Sequence, residues 1–387
     1  MNRSILKLVV FLCSFDYPPN DGGIARLCAA VASGLVVKRV PVQVLSQEVT
    51  SNHVPDIDHI IDTIRVTRQR PLREFIALSN LRSTRKINVC ISGIWYPEGL
   101  LAKLAGISHH IVFAHGAELF PPRQPWRRFL WKKLQRHVLE NADLVIANSH
   151  YTKHLVQHVA PRAKVTALPL AVDHNFYCPQ SRIASRNKWQ IAPEKRILCS
   201  VSRIHRFKGH EVVLEALAAL SPDIRETFVY LVAGKGPDLE FLQTLANDLG
   251  IADQVRWLGF VADEDLPSLY SAADLFVLPT REMPEEQSVE GFGLVFLEAQ
   301  ACGTTVVGTH TGGIPDAISH DDGGWLIEQD DHRALADILL SLHNDPTHFR
   351  EMGQKARQRV EREFTWDHYM DRFMAALETG GIHIAPK

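Results

Sequence analysis

Long apolar runs are missing from this 387-residue chain. The best candidate, residues 6–13, is eight residues long, against the roughly 18 that a membrane-spanning helix needs. A mean hydropathy of −0.08 likewise excludes a multi-span membrane protein. The opening Met1-Asn2-Arg3-Ser4 leads straight into that run, and no small-residue cleavage site follows it, so no signal peptide is expected. Cysteine is scarce. The six (Cys13, Cys28, Cys90, Cys178, Cys199 and Cys302) are widely spaced and form no C-x-x-C pair. That excludes a disulfide framework and a zinc site and fits reduced, mostly buried thiols in a cytosolic protein. No tract of low complexity and no internal repeat occurs. With 45% hydrophobic and 22% charged residues, the chain is not a disordered one. A G-x-G-x-x-G after the first apolar run is also missing, which disfavours a nicotinamide-dependent oxidoreductase.

What is present starts with charge. The formal net charge is only −2, yet it is unevenly spread. Residues 1–176 hold 22 Lys+Arg and 12 Asp+Glu, leaving 20 and 32 of the chain's 42 and 44 to the rest. The two halves therefore face different partners, and the basic one suits anionic lipid, nucleic acid or a phosphorylated substrate. The length suits about two domains. Short apolar runs at 7–14, 42–45, 89–91, 111–114, 144–147 and 165–168 read as buried strands. Helical patterns lie at 24–35 and 129–141. The second half repeats the logic, with strands at 196–201, 227–233, 255–258, 275–278 and 305–308. Its helices fall at 210–219, 239–250, 266–272, 296–301 and 332–342. Strand–helix alternation implies α/β units with parallel sheets covered on both faces. The polar, Pro-containing segment 169–193 reads as a linker, and 365–377 as a last helix ending at Gly380-Gly381.

In such sheets ligands bind at the carboxyl ends of strands, so motifs placed there carry most weight. Pro18-Pro19-Asn20-Asp21-Gly22-Gly23 follows the first strand. It suits either an anion at a helix start or a turn that simply needs glycine. His115-Gly116-Ala117-Glu118 follows the strand at 111–114 and places a His towards a cleft, although a lone His is more often structural. Arg203 and Lys208, five apart after the strand at 196–201, supply a planar fork and a point charge for a diphosphate; the bland alternative is a solvated basic loop. Gly234-Lys235-Gly236-Pro237 follows the next strand as a turn or as a wall of a nucleotide site. The strongest constellation is Glu290-Gly291-Phe292-Gly293-Leu294-Val295-Phe296-Leu297-Glu298. Two acids sit eight apart around a Gly-x-Gly turn that opens a helix, and a carboxylate can accept two sugar hydroxyls. Asp56-Ile57-Asp58 matches a metal signature on paper but no strand frames it, so no metal is expected.

On these residues the chain resembles the retaining glycosyltransferases of group 1, or family 4. Glu290 to Glu298 matches the E-x7-E pattern, Arg203 and Lys208 the R-x4-K pair, and Thr311-Gly312-Gly313-Ile314-Pro315-Asp316 follows at the family's spacing. His115-Gly116 matches the catalytic-loop His, Asp16 and Gly22-Gly23 the N-terminal loop, and Asn148-Ser149 the motif before the next helix. The wording is nearest to bacterial mannosyltransferases that use GDP-mannose. The resemblance implies a GT-B fold, two Rossmann-like doubly wound domains facing across a cleft. The expected division is an acceptor-side domain over 1–176, a nucleotide-sugar domain over 177–364, and a tail over 365–387 packing back on the first. It further implies that Arg203 and Lys208 neutralise the donor diphosphate and that Glu298 holds ribose hydroxyls. Glu290 would hold sugar hydroxyls, with backbone N–H groups of Phe292, Gly293 and Leu294. His115 would touch the donor sugar, Gly22 and Gly23 the phosphates, Gly234 the nucleotide site, Val261 the base, and Asp16 the acceptor side. Transfer would be front-face, the donor phosphate taking the acceptor proton, with basic residues in place of a metal and no cofactor.

The implied activity is hexose transfer, mannose from GDP-mannose, to a glycan or lipid-linked acceptor in polysaccharide or glycolipid synthesis. The alternatives are a UDP-sugar donor, or a sugar-nucleotide epimerase or hydrolase of the same fold. Residues 121–137 combine Trp126, Phe129 and Leu130 with Arg127, Arg128, Lys132, Lys133 and Arg136, and a second basic stretch covers 65–86. These segments suit either an anionic membrane surface or a packed helix with a solvated basic face. The expected location is cytoplasmic, with peripheral attachment to the inner face of the membrane. The acidic second half and the lack of a recognisable motif argue against nucleic acid.

Overall fold

The computed structural model describes residues 9–20, 22–48, 61–83, 87–122 and 124–384. The chain forms two compact units: Met1–Leu170 with Trp366–Lys387, and Ala171–Thr365. In the first, the described residues form seven strands in chain order: β1 (Val9–Cys13), β2 (Val42–Gln47), β3 (Asp62–Val66), β4 (Ile87–Ser92), β5 (His109–Ala114), β6 (Leu144–Ala147) and β7 (Val165–Ala167). They pair in parallel in the order β3-β2-β1-β4-β5-β6-β7. The second holds β8 (Arg196–Val201), β9 (Phe228–Ala233), β10 (Val255–Gly259), β11 (Leu275–Val277), β12 (Thr305–Thr309) and β13 (Gly324–Ile327). These are parallel in the order β10-β9-β8-β11-β12-β13.

Both sheets are doubly wound with the same logic. Strand order reverses between β1 and β4 in one and between β8 and β11 in the other. At such switch points the loops leave in opposite directions and open a crevice beyond the strand ends. The β8–β11 point lies between the R-x4-K turn and residues 279–281. Helices cover both faces of the central strands: every residue of β6, β11 and β12 is buried, and β6 and β11 are wholly apolar. Phe228, Tyr230 and Val232 of β9 pack with Val213, Leu217, Leu242 and Leu339 from helices in the second unit.

Two strands escape a reading of the sequence. β3 is an edge strand with only Val66 buried, so its Asp-Thr-Ile-Arg-Val lacks an apolar run. β13 is four residues long and begins at a glycine. The helix Pro346–Glu363 escapes it too. Its buried face is Phe349, Met352, Gly353, Ala356 and Val360, a proper stripe in which two of five members are too small to raise hydropathy.

The structure corrects the expected linker over 169–193. Residues from Ala171 on pack into the second unit. Val172 bridges to Thr365, and Arg357 donates to the carbonyls of His174 and Tyr177, both at 2.9 Å. The helix Arg182–Lys188 is pinned by Arg182 and Arg186 on buried Asp274, the latter pair at 2.7 Å. The units thus divide a few residues before the expected boundary at 176. The helix Trp366–Thr379 lies in the first unit against Gly23–Val37. Lys38 pairs with Asp371 at 2.7 Å, and Phe373 meets Phe113 of β5, ring centroids 6.2 Å apart. All six cysteines are free, and all but Cys178 are buried. Among the described residues no helix is long and apolar enough to cross a membrane. Asp56-Ile57-Asp58 lies outside the described residues.

Candidate active site

The second unit gathers most of the singled-out residues at the carboxyl ends of its strands. After β8, the turn through Arg203 and Lys208 is held by its neighbours on both sides. The Ile204 N–H donates to Lys235 O at 2.9 Å. Gly234 and Gly236 are required there, because a Cβ on either would collide with the carbonyl of Ser202 or Ile204. Gly234 in turn donates to Gly259 O at 2.6 Å, which brings the β10 end, Phe260 and Val261, to the same edge. Gly209 closes the turn at φ 71° with its α-carbon against the Pro279 carbonyl, where no side chain fits.

Lys208 and Glu290 meet. Lys208 Nζ donates to Glu290 Oε2 at 2.6 Å, with side chains 13% and 18% exposed. Glu290 is fixed through its main chain: the Gly313 N–H donates to its carbonyl at 2.8 Å, and Gly312 packs so tightly there that a Cβ is excluded. This explains physically why glycine sits at 312. The helix Leu294–Ala301 opens at Gly293, which has φ 90° and no side-chain cap, so its first amide groups point out unclaimed by a cap. Phe292 is buried beside it, and Leu294 starts the helix. Arg203 is exposed on the turn.

Glu298 occupies a different setting. It is 3% exposed, and Tyr270 donates its hydroxyl to Oε2 at 2.8 Å. Burial and the Glu298 charge push the Tyr270 hydroxyl far above its ordinary range, so Tyr270 is always a donor. Below the turn, buried His210 bridges Ser202 Oγ at 3.0 Å and Tyr230 Oη at 2.9 Å. Burial, with Lys208 nearby, lowers its pKa to about 3, so the ring stays neutral.

The first unit places His115 at the end of β5, on the loop expected. A carbonyl only accepts, so its Nε2, 2.7 Å from Gly93 O, carries the proton. Glu118 accepts the His115 N–H at 2.6 Å, and Asn148 donates to the His115 carbonyl at 3.1 Å. Glu118 is thus a clamp on the His115 main chain. Asp16 follows β1, its carbonyl taking the Ser14 hydroxyl at 2.8 Å. Gly22, at φ 147°, leads into the helix that begins at Gly23.

Sequence reasoning misses Glu98. It is 3% exposed after β4 and accepts the Phe15 N–H at 3.0 Å, while its Oε2 has no partner among the described residues. Burial raises its pKa to about 7, against the pull of the Phe15 N–H and of Arg73 and Arg70. Glu211 and Arg281 are missed as well. They stand 70 positions apart, and only the fold joins them.

The family model of glycosyl transferases group 1 matches residues 181–359, and that of glycosyltransferase family 4 matches residues 21–176. A relative from Mycobacterium tuberculosis, a GDP-mannose-dependent alpha-(1-6)-phosphatidylinositol monomannoside mannosyltransferase, is 28% identical over 375 residues, covering 92% of this chain and 95% of its own. Among solved structures, sucrose-phosphate synthase from Thermosynechococcus elongatus aligns with a TM-score of 0.79 at 21% identity, over 96% of this chain and 98% of its own. Anabaena HepE in complex with UDP aligns with a TM-score of 0.77 at 19% identity, over 96% and 100%. These two likenesses bear on the fold, which is GT-B.

Proposed function

Because the chain belongs to the group 1 glycosyltransferases, we propose that it moves mannose from GDP-mannose, with retention and without a metal ion, to a glycan or lipid-linked acceptor. The observation that carries the reading is the Lys208–Glu290 contact at 2.6 Å. It sets an ammonium beside a carboxylate, groups suited to a diphosphate and to sugar hydroxyls respectively. Breaking the glycosyl–phosphate bond puts negative charge on the departing diphosphate. Lys208 and Arg203, with the amide groups at Leu294, stabilise that charge, and preorganised groups of this kind contribute the most to such a barrier. Glu290 orients the sugar through its hydroxyls, and Glu298, steadied by Tyr270, takes the ribose. Gly234 and Val261 bound the nucleotide, and Phe292 and Gly293 supply the turn. In the first unit Asp16 serves the acceptor. The choice of GDP-mannose leans on the mycobacterial relative.

A thermal-shift series with GDP, UDP and ADP tests the donor through mass action. GDP alone shifting the melting point supports the reading, UDP alone moves the donor to a UDP-sugar, and no shift refutes a nucleotide-sugar site. Product analysis of GDP-mannose with and without acceptor separates transfer from hydrolysis or epimerisation.

The same reading sets the first unit at an anionic lipid surface. The helix Pro125–Glu140 carries its apolar residues on two sides. Val138 is buried, while Trp126, Phe129 and Leu130 are 74%, 64% and 65% exposed. Lys133 lies over the Phe129 ring at 4.3 Å. Lys132, Lys133, Arg136 and His158 line a hollow of about 310 Å³ at its flank. Exposed aromatic residues among cations suit the headgroup layer. Flotation with anionic and neutral vesicles checks this: Trp126→Ala with Phe129→Ala abolishes binding to anionic vesicles, and equal flotation with both vesicle types refutes it.

A further inference from the structure

Arg281 follows β11 at the switch point and has no part in the roles assigned so far. Its main-chain N–H donates to Phe207 O at 2.6 Å. Its Nη1 donates to Arg206 O at 3.0 Å and to Glu211 Oε1 at 2.6 Å, and its Nε pairs with Asp330. The same Glu211 oxygen accepts Arg206 Nε at 3.0 Å. Arg206 is held further by its N–H on Asp238 Oδ2 at 2.8 Å and by its guanidinium over the Phe241 ring at 4.3 Å.

The two residues before Lys208 are therefore fastened from several directions. The fastening elements are the start of the helix Leu239–Asp248, the segment after β11, the loop after β13 and the helix His210–Ala219. Glu211 is nearly buried, its side chain 6% exposed, and two guanidinia converge on one of its oxygens. The Arg281 guanidinium is taken up by Glu211, Asp330 and the Arg206 carbonyl, while Arg206 is half exposed and tied to Glu211 through Nε alone. Arg203, by contrast, is exposed, and Lys208 rests on the Glu290 carboxylate and the Phe207 ring. A lysine is a point charge on a flexible stem, so the position of its α-carbon decides which anion its ammonium reaches.

We infer that Arg281 and Glu211 are positioning residues, a charge-neutral latch with Arg206 and Asp330 that holds the 203–209 turn so that Lys208 meets the donor's sugar-linked phosphate, which is the terminal phosphate of GDP. The inference rests on the donor-site reading above. It also accounts for the start of the segment 281–289, which carries Glu282, Glu285 and Glu286 ahead of Glu290. Arg281 ties that stretch to the phosphate turn, and the Glu282 N–H on Gln329 Oε1 at 2.7 Å ties it to the loop after β13.

Calorimetric binding of GDP and GMP to the full-length wild type, Glu211→Gln, Arg281→Met and Arg281→Lys tests it. In Glu211→Gln and Arg281→Met, GDP binding weakens at least about tenfold, equal to about 1.4 kcal/mol, while GMP binding changes less than about twofold. Arg281→Lys recovers part of the loss, since it keeps the charge but not the fork. A merely structural role shifts both ligands together, so equal losses for GDP and GMP overturn the inference. Unchanged GDP binding in Arg281→Met overturns it too. If Glu211→Gln does not fold, Arg281→Met, whose site is more accessible, decides alone. A wild type that binds neither nucleotide, nor UDP or ADP, overturns the donor-site reading instead.

Discussion

Replacing Glu290 by Gln removes one charge and keeps the shape, and the geometry gives the two consequences opposite signs. In the free protein Lys208 is neutralised by Glu290 at 2.6 Å. A diphosphate arriving at Lys208 comes within about 6 Å of the Glu290 carboxylate, where Coulomb's law for unit charges gives about 1–3 kcal/mol of repulsion, for effective dielectric constants from water to near-surface protein. Removing it tightens nucleoside diphosphate binding by about tenfold. Turnover moves the other way, since Glu290 orients the sugar: Glu290→Gln lowers it at least about tenfold, about 1.4 kcal/mol of barrier. The unliganded variant is less stable, because an ammonium only 13% exposed loses its partner, a cost of about 1–3 kcal/mol. Saturating nucleotide restores that loss, and the ligand-induced rise in melting temperature exceeds the wild type's by a few degrees. Calorimetry with the diphosphate and a product assay with the nucleotide sugar read both signs. A folded Glu290→Gln that binds the diphosphate no better than wild type refutes the competition. One that turns over at the wild-type rate refutes the role of Glu290.

Glu98 titrates in the folded state at about 7, above its ordinary 4.5. The native state binds the extra proton between those values, so this group's stability contribution is full below about 4.5 and is lost as pH rises through 7, about 3 kcal/mol in all. The difference in urea-unfolding free energy between wild type and Glu98→Gln therefore shifts against the wild type from pH 5 to pH 8, and a constant difference refutes it. Gly209→Ala strains a left-handed residue and drives a methyl into the Pro279 carbonyl. It costs at least about 2 kcal/mol and weakens diphosphate binding, read by unfolding and calorimetry. Asp274→Asn leaves Arg182 and Arg186 without their common carboxylate and costs about 3–5 kcal/mol by urea unfolding; a loss under about 1 kcal/mol would show the pair to be replaceable.

The parallel sheets are legible because their inner strands, such as Leu144–Ala147 and Leu275–Val277, are buried on both faces and so are written as continuous apolar runs. The edge strand Asp62–Val66 is not, since one side of it meets solvent. The phosphate turn is legible because glycine and basic residues leave a mark wherever backbone and anion approach closely. The latch on that turn is not. Glu211 and Arg281 are far apart in sequence, and an acid on a helix and an arginine after a strand carry no local signature. The same holds for Glu98, which reads as an ordinary acid in Tyr96-Pro97-Glu98-Gly99 until the β1 end is laid across it.

Local rules of period, turn chemistry and spacing were enough to place two doubly wound units, and to bring Lys208 and Glu290 to strand ends in one of them. Those rules act over a few residues, so the sequence carries them directly. Which charges meet across the sheet was decided only by tertiary structure. Strand order β10-β9-β8-β11-β12-β13 makes neighbours of distant segments, Lys208 with Glu290 across 82 positions and Arg281 with Glu211 across 70. Ion pairing depends on distance in space, and no pattern along the chain records it.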